Sequence, residues 1–405
     1  MHKNVSTNVA NFLALAAVTL IFTAACLAQA TERILYSFTA GIDGGYPYAG
    51  MVMDAKGNLY GTTSQGGANF AGAVFEVTPN SNGTWTEQVL YSFAGFNGTG
   101  DGYLPYSTLT LDAKGNLYGT TQGGGASFHG TVFQLSPQSN GTWSEKVLYS
   151  FGGGNDGAEP FAGVILDTAG NLYGTTFSGG KYGFGTAFEL EAGANGTWTE
   201  KQLHNFTGAV DGANPFYGSL AFDRAGNLYG ETYSGGANDY GVIYQLSLAS
   251  NGEWTEKIVH AFSGGSDGDS TAGNLVVDNH GNVFAESFFS VQELTPTNGV
   301  WTTTNIHNFT GGSDGSSAEG GLFLDKAGNV YGMTFSGGAH RGTVFELTPS
   351  SNGTWTEKIL HRFTGGTDGD FPQLAPVTVD GSGNVYGTTP AGGGSNAGVV
   401  FEVKP

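Results

Sequence analysis

Two glutamates have the residue type and the place in the chain that acid/base chemistry requires. A Gly-Thr-Thr segment recurs along the chain, and in two neighbouring copies glutamate replaces its first threonine, at Glu231 and Glu286. Carboxyl groups that lie close together repel as anions, which raises the pKa of one of them and suits it to proton transfer. Equivalent positions on neighbouring sheets lie about 10 Å apart, the far end of the separation in inverting glycosidases. The alternative is that two copies of a repeat have diverged.

Two pairs of aspartates have a spacing that could hold a metal ion. They are Asp267 with Asp269 and Asp368 with Asp370, each pair separated by one glycine. Neither pair continues with the ligand spacing of an EF-hand loop. The first aspartate of each pair belongs to an Asp-Gly loop that occurs seven times, four of them as Gly-Gly-x-Asp-Gly, which favours a turn-forming role. We therefore predict neither a metal site nor a cofactor.

A third group of candidates consists of aromatic residues in glycine-rich segments. Aromatic rings next to short polar side chains are suited to stacking on sugar rings, and such rings could equally pack down to close the ends of the sheets. The candidates for ligand binding are Tyr48, Phe70, Tyr106, Phe128, Tyr182, Phe184 and Tyr240.

An internal repeat defines the elements that must position these residues. The motif Asp-x-x-Gly-Asn-[Leu/Val]-[Tyr/Phe] begins at Asp54, Asp112, Asp167, Asp223, Asp278, Asp325 and Asp380. Each copy combines short β-branched and aromatic runs with Gly-Asn and Asn-Gly turn signals, which predicts four short antiparallel strands. A sheet of this kind cannot bury both faces alone, so successive copies must pack against one another.

Seven such sheets predict an all-β fold, a single seven-bladed β-propeller over residues 31–405. Residues 32–38 match the last strand of a copy, and the C-terminal copy lacks that strand. We therefore predict that strand 32–38 pairs with the C-terminal blade and closes the ring, which removes two open sheet edges. The predicted blades span residues 49–93, 106–151, 161–206, 217–262, 272–309, 320–363 and 374–403 plus 32–38.

The two ends of the predicted blades carry different connections. The Asp-x-x-Gly-Asn and Asn-Gly turns belong to one end, the short-turn face, and the glycine-rich loops belong to the other, the long-loop face. Long loops on a rigid scaffold are common sites of function. In the fifth copy the Ser-Gly-Gly-Ala loop is missing, since Phe288-Phe289-Ser290 leads directly into Val291. This deletion predicts a notch in the long-loop face.

The repeated segments Gly-Asn-Leu-Tyr-Gly-Thr-Thr, Ser-x-Gly-Gly-Ala and Gly-Thr-Val-Phe-Glu-Leu resemble the GloVer tandem-repeat family of exported bacterial proteins, which carry varied C-terminal anchors. The resemblance covers nearly the whole chain after residue 30, with the best copies around residues 106–151 and 320–363. It implies a repeat architecture and export, and it implies no particular activity.

Charge and the N-terminal segment limit the partners and the location. The formal net charge is −20, so nucleic acids and anionic membranes are excluded as partners, because they would be repelled. Lys3 and the apolar run from Phe12 to Cys26 predict a signal peptide over residues 1–30, cleaved after Ala30. Lipidation of Cys26 is the alternative. We expect a monomer without a membrane span, either secreted or located in the periplasm or at the cell surface.

The sequence thus favours a secreted, non-enzymatic propeller that binds an extracellular glycan or protein through its long-loop face. A hydrolase or lyase acting on polysaccharide, with a site near the fifth blade, is one alternative. A structural envelope or matrix protein is another.

Overall fold

The structure is a computed structural model that describes residues 30–95, 100–270 and 273–405. Over these residues the chain forms seven antiparallel sheets, each with four principal strands, which follow one another in sequence in all but the sheet that contains both chain ends. The prediction of an all-β, seven-bladed propeller is confirmed. We number the sheets as blades 1 to 7 by the order of their innermost strands in the chain. Residues 1–29, with Cys26 and most of the predicted signal peptide, lie outside the described residues.

Each blade begins with a two-residue strand beside the central channel and ends with a long strand at the outer edge. The innermost strands of blades 1 to 7 are Val52–Met53, Thr110–Leu111, Ile165–Leu166, Ala221–Phe222, Val276–Val277, Phe323–Leu324 and Thr378–Val379. The second strands are Leu59–Thr63, Leu117–Thr121, Leu172–Thr176, Leu228–Thr232, Val283–Ser287, Val330–Ser336 and Val385–Thr389.

The outer half of each blade is longer than the inner half. The third strands are Ala73–Pro79, Thr131–Pro137, Thr186–Ala192, Val242–Leu248, Ser290–Thr297, Thr343–Pro349 and Val399–Lys404. The outer strands of blades 1 to 7 are Trp85–Ser92, Trp143–Ser150, Trp198–Asn205, Trp254–Ala261, Val300–Asn308, Trp355–Arg362 and Thr31–Ser37. An extra strand, Ser316–Ala318, pairs with the second strand of blade 6, and short 3-10 turns occupy Gly154–Asp156 and Ala194–Gly196.

The N-terminal strand closes the ring. Thr31–Ser37 pairs in antiparallel register with Val399–Lys404, from Thr31 opposite Lys404 to Ser37 opposite Val399. Leu35 and Phe38 are buried, which anchors the first described strand in the core of the last blade. The predicted closure is confirmed.

The aspartate of each Asp-x-x-Gly-Asn motif organises a tight turn. In blade 1, Asp54 Oδ1 accepts hydrogen bonds from the N–H groups of Lys56 and Asn58 at 2.8 and 2.9 Å. Gly57 in the same turn has a φ of 86°, a conformation in which any other side chain would be strained. The same pattern of bonds recurs in the other copies, so these aspartates are turn formers as predicted.

The core lies between the blades. Phe38 of blade 7 packs edge-to-face on Phe75 of blade 1, with ring centroids 5.0 Å apart. Gly61 on the neighbouring strand leaves room for this ring, because a Cβ there would lie 2.6 Å from Phe75 Cζ. At the outer edge, Trp85 packs on Tyr386 of blade 7 at 6.1 Å. These contacts recur around the ring, so the repeated tryptophans hold blades together rather than bind a ligand.

Candidate functional site

The loop that leads into an innermost strand places a side chain at the mouth of the channel. In blade 1, Tyr46 has a φ of 58°, and its N–H donates a 2.8 Å hydrogen bond to the carbonyl of Ala397 on blade 7. Pro47 packs closely on Gly398, where a Cβ would lie 2.5 Å from the proline Cδ. The ring of Pro47 fixes its own φ, and Tyr48 follows this anchored bend at the channel mouth.

The glycine–proline contact recurs at four other blade interfaces. The pairs are Gly72 with Pro105, Gly130 with Pro160, Gly185 with Pro215, and Gly342 with Pro372. Blades 5 and 6 have no proline in this loop. Aromatic residues follow the proline in blades 1 to 4, so the rings at the mouth come from one side of the propeller.

Tyrosine rings cover the long-loop end of the channel. The Tyr106 ring lies 5.7 Å from Tyr48, 5.7 Å from Phe161 and 6.0 Å from Tyr217. Burial raises the pKa of Tyr48 and of Tyr106, and each ring is further affected by a neighbouring tyrosine. The phenols therefore stay neutral and can donate hydrogen bonds. On the short-turn side, the channel has a volume of about 650 Å³ and is lined mainly by the innermost strands.

A cavity of about 700 Å³ opens on the long-loop face next to these rings. Its aromatic lining consists of Tyr48, Tyr106, Phe216, Tyr217, Tyr233, Tyr240 and Phe288. Its polar lining consists of Ser234, Asp239, Asp269, Ser270, Glu319 and Gln373, and Leu374 completes the wall. Phe288 belongs to the tight hairpin that replaces the missing loop of blade 5, so the cavity lies where the sequence predicts a notch.

The structure divides the predicted ligand-binding aromatics into two groups. Tyr48, Tyr106 and Tyr240 line the cavity. The other four, Phe70, Phe128, Tyr182 and Phe184, are exposed in the long loops of blades 1 to 3.

Four aromatic cavity residues were missed as ligand candidates from the sequence. Phe216 and Tyr217 follow a proline as Tyr48 does, so an alignment of the repeats would have identified them. Tyr233 and Phe288 have no such signal, because their place beside the cavity depends on the missing loop of blade 5.

The two glutamates considered as an acid/base pair lie in different blade interfaces. Ser270 Oγ donates a 3.0 Å hydrogen bond to Glu231 Oε2 between blades 4 and 5. The Gly321 N–H donates a 2.7 Å hydrogen bond to Glu286 Oε2 between blades 5 and 6. Both glutamates are buried. The structure does not bring them into one pocket, which acid/base catalysis by this pair requires.

These glutamates link blades, as the threonines do at the same repeat position. Thr62 Oγ1 donates to the carbonyl of Ser107 at 3.1 Å, and Thr388 Oγ1 donates to that of Ala49 at 2.8 Å. Glutamate accepts where threonine donates, so the direction of the bond is reversed. Burial is the main reason why the pKa of Glu286 is raised to about 8. The hydrogen bond from the Gly321 N–H lowers this pKa, and the charge of Glu319 raises it.

The aspartates considered as metal ligands have other partners. Asp267 accepts hydrogen bonds from Ser263, and Asp368 accepts them from Thr364, so both are turn formers. Asp370 forms an ion pair with Arg341 at 3.0 Å. Asp269 is exposed at the cavity.

A different titratable arrangement recurs between the outer strands of neighbouring blades. The loop aspartate meets a tyrosine or a histidine of the preceding outer strand, as in Tyr91 with Asp101 at 2.6 Å and His204 with Asp211 at 3.2 Å. The next outer strand contributes a glutamate in six interfaces and Thr303 in the seventh. We call these glutamates the interface glutamates: Glu32, Glu87, Glu145, Glu200, Glu256 and Glu357.

Burial raises the pKa of every interface glutamate, and the neighbouring loop aspartate raises it further. The value is about 7 for Glu145 and about 8 for Glu256. Within the described part of the chain, His204, Asp211 and Glu256 bring their ligand atoms within 4.8 Å of one another, close enough to hold a metal ion. However, Tyr91 stands in the place of His204 in the equivalent group around Asp101, which indicates that the arrangement is a structural one.

Comparison with known families identifies the repeat. The profile of the Gloeobacter/Verrucomicrobia repeat matches residues 19–147, 139–287 and 290–405. The chain belongs to this family. In this chain, the residues that match the Gloeobacter/Verrucomicrobia repeat form the blades of the propeller. No curated protein matches the chain.

Several solved structures share the fold of this Gloeobacter/Verrucomicrobia repeat protein. Virginiamycin B lyase from Staphylococcus aureus is 13% identical, with a TM-score of 0.55 over 93% of this chain and 99% of the lyase. A PL25 ulvan lyase bound to a sulfated oligosaccharide is 11% identical, with a TM-score of 0.53 over 92% and 95%. The extracellular domain of a putative one-component system from B. thetaiotaomicron is 10% identical, with a TM-score of 0.56 over 92% and 40%. At these identities the likeness shows the fold alone.

Among the residues that the structure describes, no helix has the length and apolar character needed to cross a bilayer.

Proposed function

We propose that the protein is an exported binding module that holds a glycan in the aromatic cavity of its long-loop face. The observation that carries the proposal is the lining of that cavity, where seven aromatic rings stand beside hydroxyl, amide and carboxyl groups. Aromatic faces pack on the apolar faces of sugar rings, while polar groups bind the hydroxyls and fix orientation. A volume of about 700 Å³ lies within the range of small-molecule sites.

The scaffold supports this proposal because it holds the cavity rigidly. Most of the rings at the channel mouth follow prolines that are locked against a neighbouring blade, so little side-chain ordering is needed on binding. The predicted signal peptide would deliver the module to the exterior, where polysaccharides are found. One protein that shares the fold, the PL25 ulvan lyase, was solved with a bound saccharide.

The proposal is tested with a glycan array followed by calorimetric titration of the best ligand. Tyr233→Ala and Tyr240→Ala remove rings that are 54% and 40% exposed, so the fold should tolerate both changes. Each should weaken binding about tenfold, since a central aromatic contact contributes more than about 1 kcal/mol. Leu248→Ala is the control, because Leu248 is exposed at the end of a third strand on the short-turn face. Unchanged affinity in both tyrosine variants would contradict the proposed site.

The hydrolase or lyase alternative loses its main support, because Glu231 and Glu286 do not meet. A colorimetric assay for new reducing ends or unsaturated sugars on the same glycans would reveal such an activity. A purely structural protein would instead bind no glycan, and its melting temperature would not rise with any ligand.

A further inference from the structure

The charge of the proposed glycan site is one-sided. Asp239, Asp269 and Glu319 are the charged side chains of the cavity, and among the described residues that line it none is lysine or arginine. The formal net charge of −20 adds a long-range field of the same sign. Aromatic rings attract cations through their faces, most strongly where water is excluded. Acidic and aromatic groups in one cavity therefore both favour a positively charged ligand.

Another interface of the propeller already holds a cation of the chain itself next to an acidic and an aromatic side chain. At the interface of blades 6 and 7, the Arg341 guanidinium pairs with Asp370 at 3.0 Å and lies 4.9 Å from the centroid of the Phe371 ring. Asp370 and Phe371 are the residues that follow the Asp-Gly of the loop, and Arg341 directly precedes the glycine that contacts the next blade.

The same repeat positions at the interface of blades 4 and 5 carry Asp269, Ser270 and Tyr240. The backbone contact is the same, since the Ser270 N–H donates to the Tyr240 carbonyl at 2.9 Å and the Phe371 N–H donates to that of Arg341 at 3.2 Å. The aspartate is thus retained, whereas Tyr240 takes the position of the arginine and Ser270 takes that of the phenylalanine. This place faces the cavity.

Glu319 adds a second carboxyl group at a position that is aromatic in other blades. It lies three residues before the buried Leu322, as Tyr106 lies three before Leu109 and Tyr217 three before Leu220. Burial raises the pKa of Glu319, and the nearby Glu286 is influenced by its charge. A cation in the cavity would relieve this unfavourable burial of negative charge.

We propose that the cavity selects a glycan with free, protonated amino groups, whose ammonium pairs with Asp269 as the Arg341 guanidinium pairs with Asp370, next to the aromatic rings of the cavity. Glu319, which lines the same cavity, supplies a second carboxyl group for an amino group of the ligand. This inference rests on the proposed glycan-binding function and narrows its ligand to the amino-sugar class.

The test compares two hexasaccharides that differ only in the amine: β-1,4-linked glucosamine and its N-acetylated form. Titration at about pH 5 keeps the amines of the glucosamine hexamer protonated. We expect the glucosamine hexamer to bind at least about tenfold more tightly. Asp269→Asn combined with Glu319→Gln should remove that preference.

Two matched variants separate a specific site from general attraction by a negative protein. Asp370→Asn changes the equivalent aspartate, which has its own arginine, and should leave both affinities unchanged. Tyr240→Arg should rebuild the internal ion pair and weaken glucosamine binding more than Tyr240→Met does. The inference would be overturned if Asp370→Asn weakened glucosamine binding as much as the combined Asp269→Asn and Glu319→Gln variant does.

The remaining outcomes are also decisive. Equal or tighter binding of the acetylated hexamer would overturn the amino-sugar inference and leave the glycan proposal standing. If neither hexamer binds and no glycan on the array binds, the proposed function itself is contradicted. Binding of oligolysine but no glycan, with the same dependence on Asp269 and Glu319, would assign the cavity to basic peptides and overturn the inference as stated.

Discussion

Replacing two interface glutamates should stabilise the protein at alkaline pH and leave it unchanged at acid pH. Burial, and secondarily a loop aspartate, raises the pKa of Glu145 and of Glu200 from 4.5 to about 7. The folded state therefore holds these protons more tightly than the unfolded state. The resulting stabilisation is fully present below pH 4.5 and is lost as the pH rises through about 7. Glutamine keeps the shape and stays neutral, so it avoids this loss.

The magnitude follows from the same values. The full difference between 4.5 and about 7 corresponds to about 3 kcal/mol per group. Water reaches part of each side chain and screens the charge, so we expect about 1 kcal/mol per site. The two sites lie in separate interfaces, and Glu145→Gln with Glu200→Gln should therefore add about 2 kcal/mol to the free energy of unfolding at pH 9.

Urea unfolding at about pH 4 and pH 9 measures this difference. At the lower pH the turn aspartates Asp112 and Asp380 still favour the ionised form, since bound N–H and amide groups outweigh burial and lower their pKa below 3.8. Glu191→Gln is the control, because Glu191 is exposed, and it should change neither value. A double variant that is less stable than the natural chain at pH 9 would refute the reasoning, because it would show that these carboxylates stabilise the ring as anions.

Two further predictions concern the ring. Phe38→Ala should lower the free energy of unfolding by about 3–5 kcal/mol, as much as Phe93→Ala does. Both rings are fully buried against a phenylalanine of the next blade. A much smaller cost in urea unfolding would show that the closing strand is detached in solution. Added Zn²⁺ or a chelator should leave the melting temperature unchanged, because Asp211 already accepts hydrogen bonds from Thr207 and His204. A rise in melting temperature with Zn²⁺ that His204→Gln abolishes would contradict this prediction.

The fold could be predicted in detail because each repeat position does the same physical work in every blade. Asp54 and its equivalents fix a turn that needs only local hydrogen bonds, and strand 32–38 is visible as an unmatched last strand. The direction of a side chain in a strand was harder to use. Glu231 looked available from its place near a strand end, but its side chain points into the neighbouring blade, where Ser270 donates to it.

The cavity could be predicted only in outline. The short fifth copy correctly located the opening, whereas its walls include Tyr233 and Glu319, which come from blades on either side of it. Such a meeting depends on how the ring brings loops together, and no local pattern records it. Phe70 shows the converse, because it matches the aromatic pattern and yet lies 73% exposed away from the cavity.

The shortened hairpin of blade 5 has a consequence for valency. A ring with seven identical loops would offer seven equivalent binding sites around its rim and could cross-link several polymer chains at once. Among the residues that the structure describes, the shortened hairpin occurs in blade 5 alone, so one sector of the ring differs from the other six. Under the proposed function, a monomer would therefore hold a polysaccharide at this one sector and would not cross-link several chains.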